Sequence, residues 1–159
     1  MNPIPGLYIV NYNSTHHHAF REINAAWIKE DFVMEKTDEE VLNDPEKYIL
    51  NDGGIILMAM YNNEAAGTCA LINEGDGIYE LTKMGVYKQF RGLKIGFYLG
   101  KAIVEKAKEL KAKKIILHSN TKGSAKAVEL YRQLGFKEIP LGNAPWARAN
   151  IKMELELQI

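Results

Sequence analysis

Residues 78–119 restrict the fold more than any other part of the chain. The run IYELTKMGVY (78–87) has strand character, a helix is predicted over about 94–111, and KIILHS (114–119) is a continuous apolar run. In the helix, Ile95, Leu99, Ala102, Ile103, Ala107 and Leu110 form one apolar stripe at 3.6-residue spacing, while Lys101, Glu105, Lys108 and Glu109 take the remaining surface. An apolar strand without alternation suits burial on both faces. Strand, helix and buried strand make a βαβ unit, whose strands lie parallel and whose crossover is right-handed. The sheet must therefore contain a parallel pair.

The flanking segments add antiparallel partners. Residues 6–12 read as a strand, and Ser14 or Thr15 is expected to cap a helix through about residue 30, with Phe20, Ile23 and Trp27 on one face. A second short helix lies in TDEEVLNDPEKYIL, where Thr37 precedes Glu40 by three in a capping pattern. The runs 54–61 and 65–73 are separated by NNE, and EGDG leads into 78–87, so three antiparallel strands are predicted. Downstream, a helix over about 123–134 carries Ala127, Leu130, Tyr131 and Leu134 on one face and stops at Gly135. Strands near 136–140 and 150–158 complete the order βααβββαβαββ. The expectation is one α+β domain over residues 1–159, with a mixed central sheet of about seven strands flanked by about four helices.

Composition removes several function classes. Twenty basic and 20 acidic residues give a net charge of zero, which argues against a general nucleic-acid binder. MNPIPGLYIV lacks a charged region followed by an apolar core, and GGIILMAMY is too short to span a bilayer, so a cytoplasmic protein with no membrane partner is expected. Cys69 is the only cysteine and sits among small apolar neighbours, as a buried residue would. His16, His17 and His18 point about 100° apart on a helix and cannot converge on one ion, so no metal is expected. His118, isolated in an apolar strand, reads as a satisfied core histidine.

The stretch KQFRGLKIGFYLG (88–100) places Gly92, Gly96 and Gly100 four apart, with Arg91 and Lys94 among them. A glycine inside a helix costs roughly 1 kcal/mol relative to alanine. Two readings account for three of them. One is an anion site, where the unpartnered first amides and the positive helix end meet a phosphate that no Cβ keeps away. The other is a small-residue face that permits close helix packing. Neither G-x-x-x-x-G-K-[ST] nor G-x-G-x-x-G is present.

LTKMGVYKQFRGLKIGFYLGKAIVEKAKEL, followed by AVELYRQLGF, resembles the GNAT superfamily of acyl-CoA-dependent N-acetyltransferases. Its signature is R/Q-x-x-G-x-G/A after the fourth strand, with Y-x-x-x-G-F closing the fourth helix. The register from Arg91 to Gly96 leaves Ile95 and Leu99 on the helix stripe but puts Lys94 at the middle glycine. A register from Gln89 keeps Gly92 and puts Lys94 at the last small position. A lysine at position 94 is expected to limit the loop to negative φ.

The resemblance implies a GNAT fold and acetyl-CoA as acetyl donor, with no metal. Amides of Arg91, Gly92, Leu93, Lys94, Ile95 and Gly96 would bind the pyrophosphate, and the backbone of Met84 and Val86 would pair with pantetheine as an added strand does. Gly85 would allow a bulge or a close approach there, and Asn120 and Ser124 would contact the pantetheine or adenine side. The implied reaction is direct attack on the thioester by a primary amine, on a small molecule or on a protein or peptide. The alternative is a non-catalytic CoA-binding sensor or regulatory module. A homodimer is compatible with the resemblance.

Two residues are candidates for acid–base chemistry. By alternation Glu80 shares a face with Ile78, Thr82 and Met84, and a carboxylate facing an apolar site has its pKa raised, which suits a base near neutral pH. Tyr131 completes the apolar stripe of its helix and reads as core from the residues alone; the resemblance makes it the proton donor to the departing thiolate. The resemblance also places the acceptor pocket among the first helices and the loop between the last two strands. Trp27, Glu35, Asp38, Trp146 and Arg148 are candidates there; the acidic residues would suit a cationic amine and Arg148 a carboxylate-bearing one.

Overall fold

A computed structural model describes residues 4–144 and 146–157, so residue 158 of the last predicted strand lies outside the described residues. The chain runs β1 (Leu7–Asn11), α1 (His17–Asp31), α2 (Lys36–Asn43), β2 (Ile55–Tyr61), β3 (Glu64–Gly75), β4 (Ile78–Val86), α3 (Ile95–Glu109), β5 (Lys114–Ser119), α4 (Ala125–Gln133), β6 (Lys137–Ile139) and β7 (Ile151–Glu156). One mixed sheet of seven strands has the order β1-β2-β3-β4-β5-β7-β6. All neighbours are antiparallel except β4 and β5, the parallel pair of the βαβ unit.

Apolar residues on the two sheet faces build two cores. Leu57, Leu71 and Leu81 pack with Ile95, Leu99 and Ile103 of α3 and Val128 and Tyr131 of α4. Ile56, Met58 and Ala70 pack on the other face with Phe20 and Ile23 of α1 and Leu42 of α2. At Gly100 a Cβ would come within 2.4 Å of Leu134 Cδ1, so this glycine is where α3 meets the end of α4. The β2–β3 hairpin turns on Asn62 and Asn63, both at positive φ (49° and 68°), as a two-residue turn matched to strand twist requires.

Two helix starts differ from expectation. Asn13, not Ser14 or Thr15, is the first cap: its side chain accepts from the Thr15 amide at 2.9 Å, and a short 3₁₀ turn at Ser14–His16 precedes α1. His16 Nδ1 accepts from the Asn13 amide at 3.0 Å and His17 Nε2 donates to the Leu42 carbonyl at 3.0 Å, so these two histidines fasten the start of the helix. For α2 the capping box is Glu35 with Asp38, because Thr37 already lies inside the helix.

The most consequential irregularity is in β4. Thr68 pairs with Gly85 but Ala70 pairs with Thr82, so β4 holds one extra residue against β3. Lys83 sits there with φ 51°. Such a bulge re-aims the strand. Glu80 and Thr82 face the α1/α2 side, opposite Ile72 and Ala70, whereas Met84 packs into the α3/α4 core. The expected shared face of Glu80 and Met84 is therefore corrected: alternation fails across the extra residue.

Candidate active site

β4 and β5 pair only over Ile78–Glu80 and Lys114–Ile116. Beyond Glu80 the bulged β4 parts from β5, while β5 stays paired with β7 as far as Ser119. The splay opens a cleft of about 840 Å³ between the ends of the two strands. Its walls include Met84, Gly85 and Val86 of β4, the loop into α3, the start of α4, and His118, Trp146 and Arg148.

At one end lies the glycine loop. Gly92 has φ 89°, and a Cβ placed on it would meet no atom within 4 Å; the backbone angle, not crowding, favours glycine there. Lys94 immediately precedes α3 with φ 62°, which corrects the expectation of negative φ. The loop keeps a left-handed residue at this place even though its side chain is lysine. A Cβ on Gly96 would make only ordinary contacts, 3.5 Å to Leu130 and 3.9 Å to Met84. Arg91, Gly92, Lys94, Ile95 and Gly96 line the cleft, as do Lys122 and Lys126, whose proximity in space was not visible in the sequence. Leu93 does not line it and is 36% exposed. The Arg91 guanidinium is held by Glu30 at 3.1 Å and donates to the Val86 carbonyl at 3.3 Å.

Asn120 and Ser124 also line the cleft. The Asn120 side chain is committed to its own loop, accepting from the Lys122 and Gly123 amides (2.8 and 2.9 Å) and donating to the Arg148 carbonyl at 2.7 Å. Ser124 stands at the N-terminal boundary of α4.

Tyr131 enters from the α3/α4 side. It is buried, and its hydroxyl donates to Met84 Sδ at 3.9 Å. Burial pushes its pKa up, so it stays a phenol with a proton to give. Glu80 approaches from the opposite face but does not line the cleft. Its Oε2 lies 2.8 Å from Nδ1 of His118, which does line it. Burial raises the Glu80 pKa, against the lowering effect of His118. His118 Nε2 is buried with no hydrogen-bond partner among the described residues, so His118 is not the satisfied core histidine expected from sequence.

The remaining wall is aromatic. Trp27 packs over Gly85, where a Cβ would fall 2.3 Å from Trp27 Cδ1, so the close approach expected at this glycine is made by an indole. The Arg148 guanidinium lies 5.5 Å from the Trp146 ring centroid, 5.7 Å from that of Trp27 and 5.9 Å from that of Phe32. Of the acceptor candidates, Trp27, Trp146 and Arg148 line the cleft. Glu35 and Asp38 do not; both bind Arg148 from behind, at 3.3 and 2.7 Å. Asp38 also holds Lys83, a buried cation that sequence reading missed because it breaks strand alternation. Cys69 is fully buried and its pKa is raised by that burial, which removes it as a nucleophile.

Known proteins share this sequence pattern and this fold. An uncharacterized N-acetyltransferase of Schizosaccharomyces pombe is 30% identical over 109 residues, covering 67% of this chain and 66% of that protein. A GNAT-family acetyltransferase from Staphylococcus aureus Mu50 superposes with a TM-score of 0.85 at 26% identity, over 96% of this chain and 99% of that one. A Salmonella typhimurium protein solved with its cofactor acetyl-CoA shares the fold, with a TM-score of 0.74 at 18% identity over 96% of this chain and 95% of that one. With the family model for the acetyltransferase (GNAT) family matching residues 19–136, the chain belongs to that family.

Proposed function

We propose that the protein transfers an acetyl group from acetyl-CoA to a primary amine by direct attack within a ternary complex. The observation that carries this reading is the splay of β4 from β5, which lets groups from both sheet faces reach one cleft. Tyr131 comes from one side and the Glu80–His118 pair from the other. A transfer reaction needs this two-sided access, because the donor loses a thiolate on one side as the acceptor sheds a proton on the other.

The donor end suits a pantetheine diphosphate. The open edge of β4 offers backbone groups to an extended arm. The start of α3 offers amides without intrahelical partners, next to Gly92, where nothing crowds an approaching phosphate. Lys94, Lys122 and Lys126 add positive charge along the same walls.

In the chemical step the amine nitrogen bonds to the acetyl carbon and the carbon–sulfur bond breaks. One nitrogen proton leaves toward the Glu80–His118 pair, and the Tyr131 hydroxyl gives its proton to the departing sulfur. No acyl-enzyme is required, consistent with the burial of Cys69. The acceptor is a small-molecule, peptide or protein amine that enters past Trp27 and Trp146. Incubation with acetyl-CoA and mixed primary amines, read by mass spectrometry, tests the reading. An acetylated amine supports it; CoA binding without any acetylated product contradicts it and favours a CoA-responsive regulatory module.

A further inference from the structure

We propose that His118 is the catalytic base that takes the proton from the acceptor amine, and that Glu80 is the residue that positions it. The proposal rests on the acetyl-transfer reading above.

The parallel register sets Glu80 opposite Ile116, so His118 lies two residues further along β5 on the same face, where β4 has already bent away. The two side chains are 5% and 7% exposed, and Nδ1 lies 2.8 Å from Glu80 Oε2. Of the two residues only His118 lines the cleft. Buried polar atoms in native proteins nearly always have partners. His118 Nε2 has none among the described residues, and a substrate amine would supply one. With Glu80 ionised, Nδ1–H donates to the carboxylate, which leaves Nε2 with a lone pair and no proton. The Trp146 ring meets the imidazole edge-on, with 6.2 Å between centroids.

The charged groups around the pair are Glu80 and Lys83 from β4, Glu74 from β3, Lys152 directly across on β7 and Arg148 from the preceding loop. As the nitrogen–carbon bond forms and the carbon–sulfur bond breaks, one N–H proton passes to Nε2. The resulting imidazolium is held by the Glu80 carboxylate until it releases the proton to solvent, and Tyr131, having protonated the thiolate, regains one. Protons and charge balance over the cycle.

Two measurements test this on the full chain. Imidazole ¹⁵N NMR of the wild-type protein should show His118 at neutral pH with Nδ1 protonated and Nε2 bare; a proton on Nε2 instead would overturn the proposal without any need for an acceptor. Thiol release from acetyl-CoA with spermidine, lysine, glycinamide, phenethylamine and a lysine-containing peptide gives the second. His118→Ala, or His118→Gln if the alanine variant melts early, should lose roughly 10²–10⁴-fold in kcat with unchanged acetyl-CoA affinity. Its residual rate should rise with pH, as the amine deprotonates unaided. Glu80→Gln keeps an oxygen for Nδ1–H, so it should lose less in kcat than His118→Ala, whereas Glu80→Ala, which leaves Nδ1–H without an acceptor, should lose more than Glu80→Gln with acetyl-CoA affinity unchanged. Near wild-type turnover in both His118 variants, with Glu80→Gln inactive, would make Glu80 the base. Absence of turnover by the wild type with every amine would refute the transferase reading, and the NMR result would still decide the state of His118.

Discussion

Lys83 Nζ lies 2.7 Å from Asp38 Oδ1, with side chains 1% and 0% exposed, and this pair ties the bulge of β4 to the first turn of α2. The same Asp38 carboxylate receives both terminal nitrogens of Arg148, at 2.7 and 2.8 Å, and the Glu35 amide at 2.9 Å. One carboxylate thus holds the bulge of β4, the start of α2 and the loop before β7 together.

Removing that carboxylate strands two cations. Asp38→Ala should cost about 3–5 kcal/mol of stability, the usual penalty for breaking a buried pair from one side. Lys83→Met should cost less, because Asp38 keeps Arg148. Urea unfolding of the two variants measures the difference.

The same cluster sets an acid limit. Burial would raise the Asp38 pKa, but the Arg148 hydrogen bonds and the Lys83 charge outweigh it and hold the carboxyl well below the usual carboxylate range. A depressed folded-state pKa adds stability that is present above the unfolded value of about 4 and lost as pH falls through the folded one. Stability measured from pH 7 downward should therefore fall below about pH 4, and Asp38→Asn should flatten part of that fall.

Gly85 and Trp27 make a steric prediction. A Cβ at position 85 overlaps the indole, 2.3 Å from Cδ1 and 2.8 Å from Nε1. Gly85→Ala should cost about 1–3 kcal/mol and displace Trp27, seen as a change in tryptophan fluorescence.

At Lys94 the backbone favours the residue that the chain lacks. A left-handed residue other than glycine costs roughly 1–2 kcal/mol, partly offset by the entropy that glycine loses on folding. Lys94→Gly should leave thermal stability unchanged or raise it by up to about 1 kcal/mol, while Lys94→Val should lower it.

Tyr131 separates chemistry from binding. Tyr131→Phe keeps the ring and its edge contact with Phe136, 5.9 Å between centroids, but removes the proton. Turnover should drop roughly 10²–10⁴-fold with little change in acetyl-CoA affinity. Unchanged turnover would end the acid assignment.

Strand and helix order was legible because the α3 stripe and the apolar β5 run obey simple periodicities. At the glycine stretch the residues alone left two readings open, an approaching phosphate and close packing; Gly100 serves packing against Leu134, while Gly92 is uncrowded. What escaped were features that need the third dimension. The extra residue in β4 breaks alternation without leaving a local signal, so Met84 was expected on the wrong face. Lys83 carried no signal of its own, since its partner Asp38 is 45 positions away. His118 looked like core because only the parallel register brings it to Glu80.

Initial rates of thiol release, with acetyl-CoA and a responsive primary amine varied together, test the central claim most directly. The account predicts release that depends on the amine and double-reciprocal lines that intersect, as a ternary complex requires. Parallel lines, or release indifferent to every amine, would contradict it.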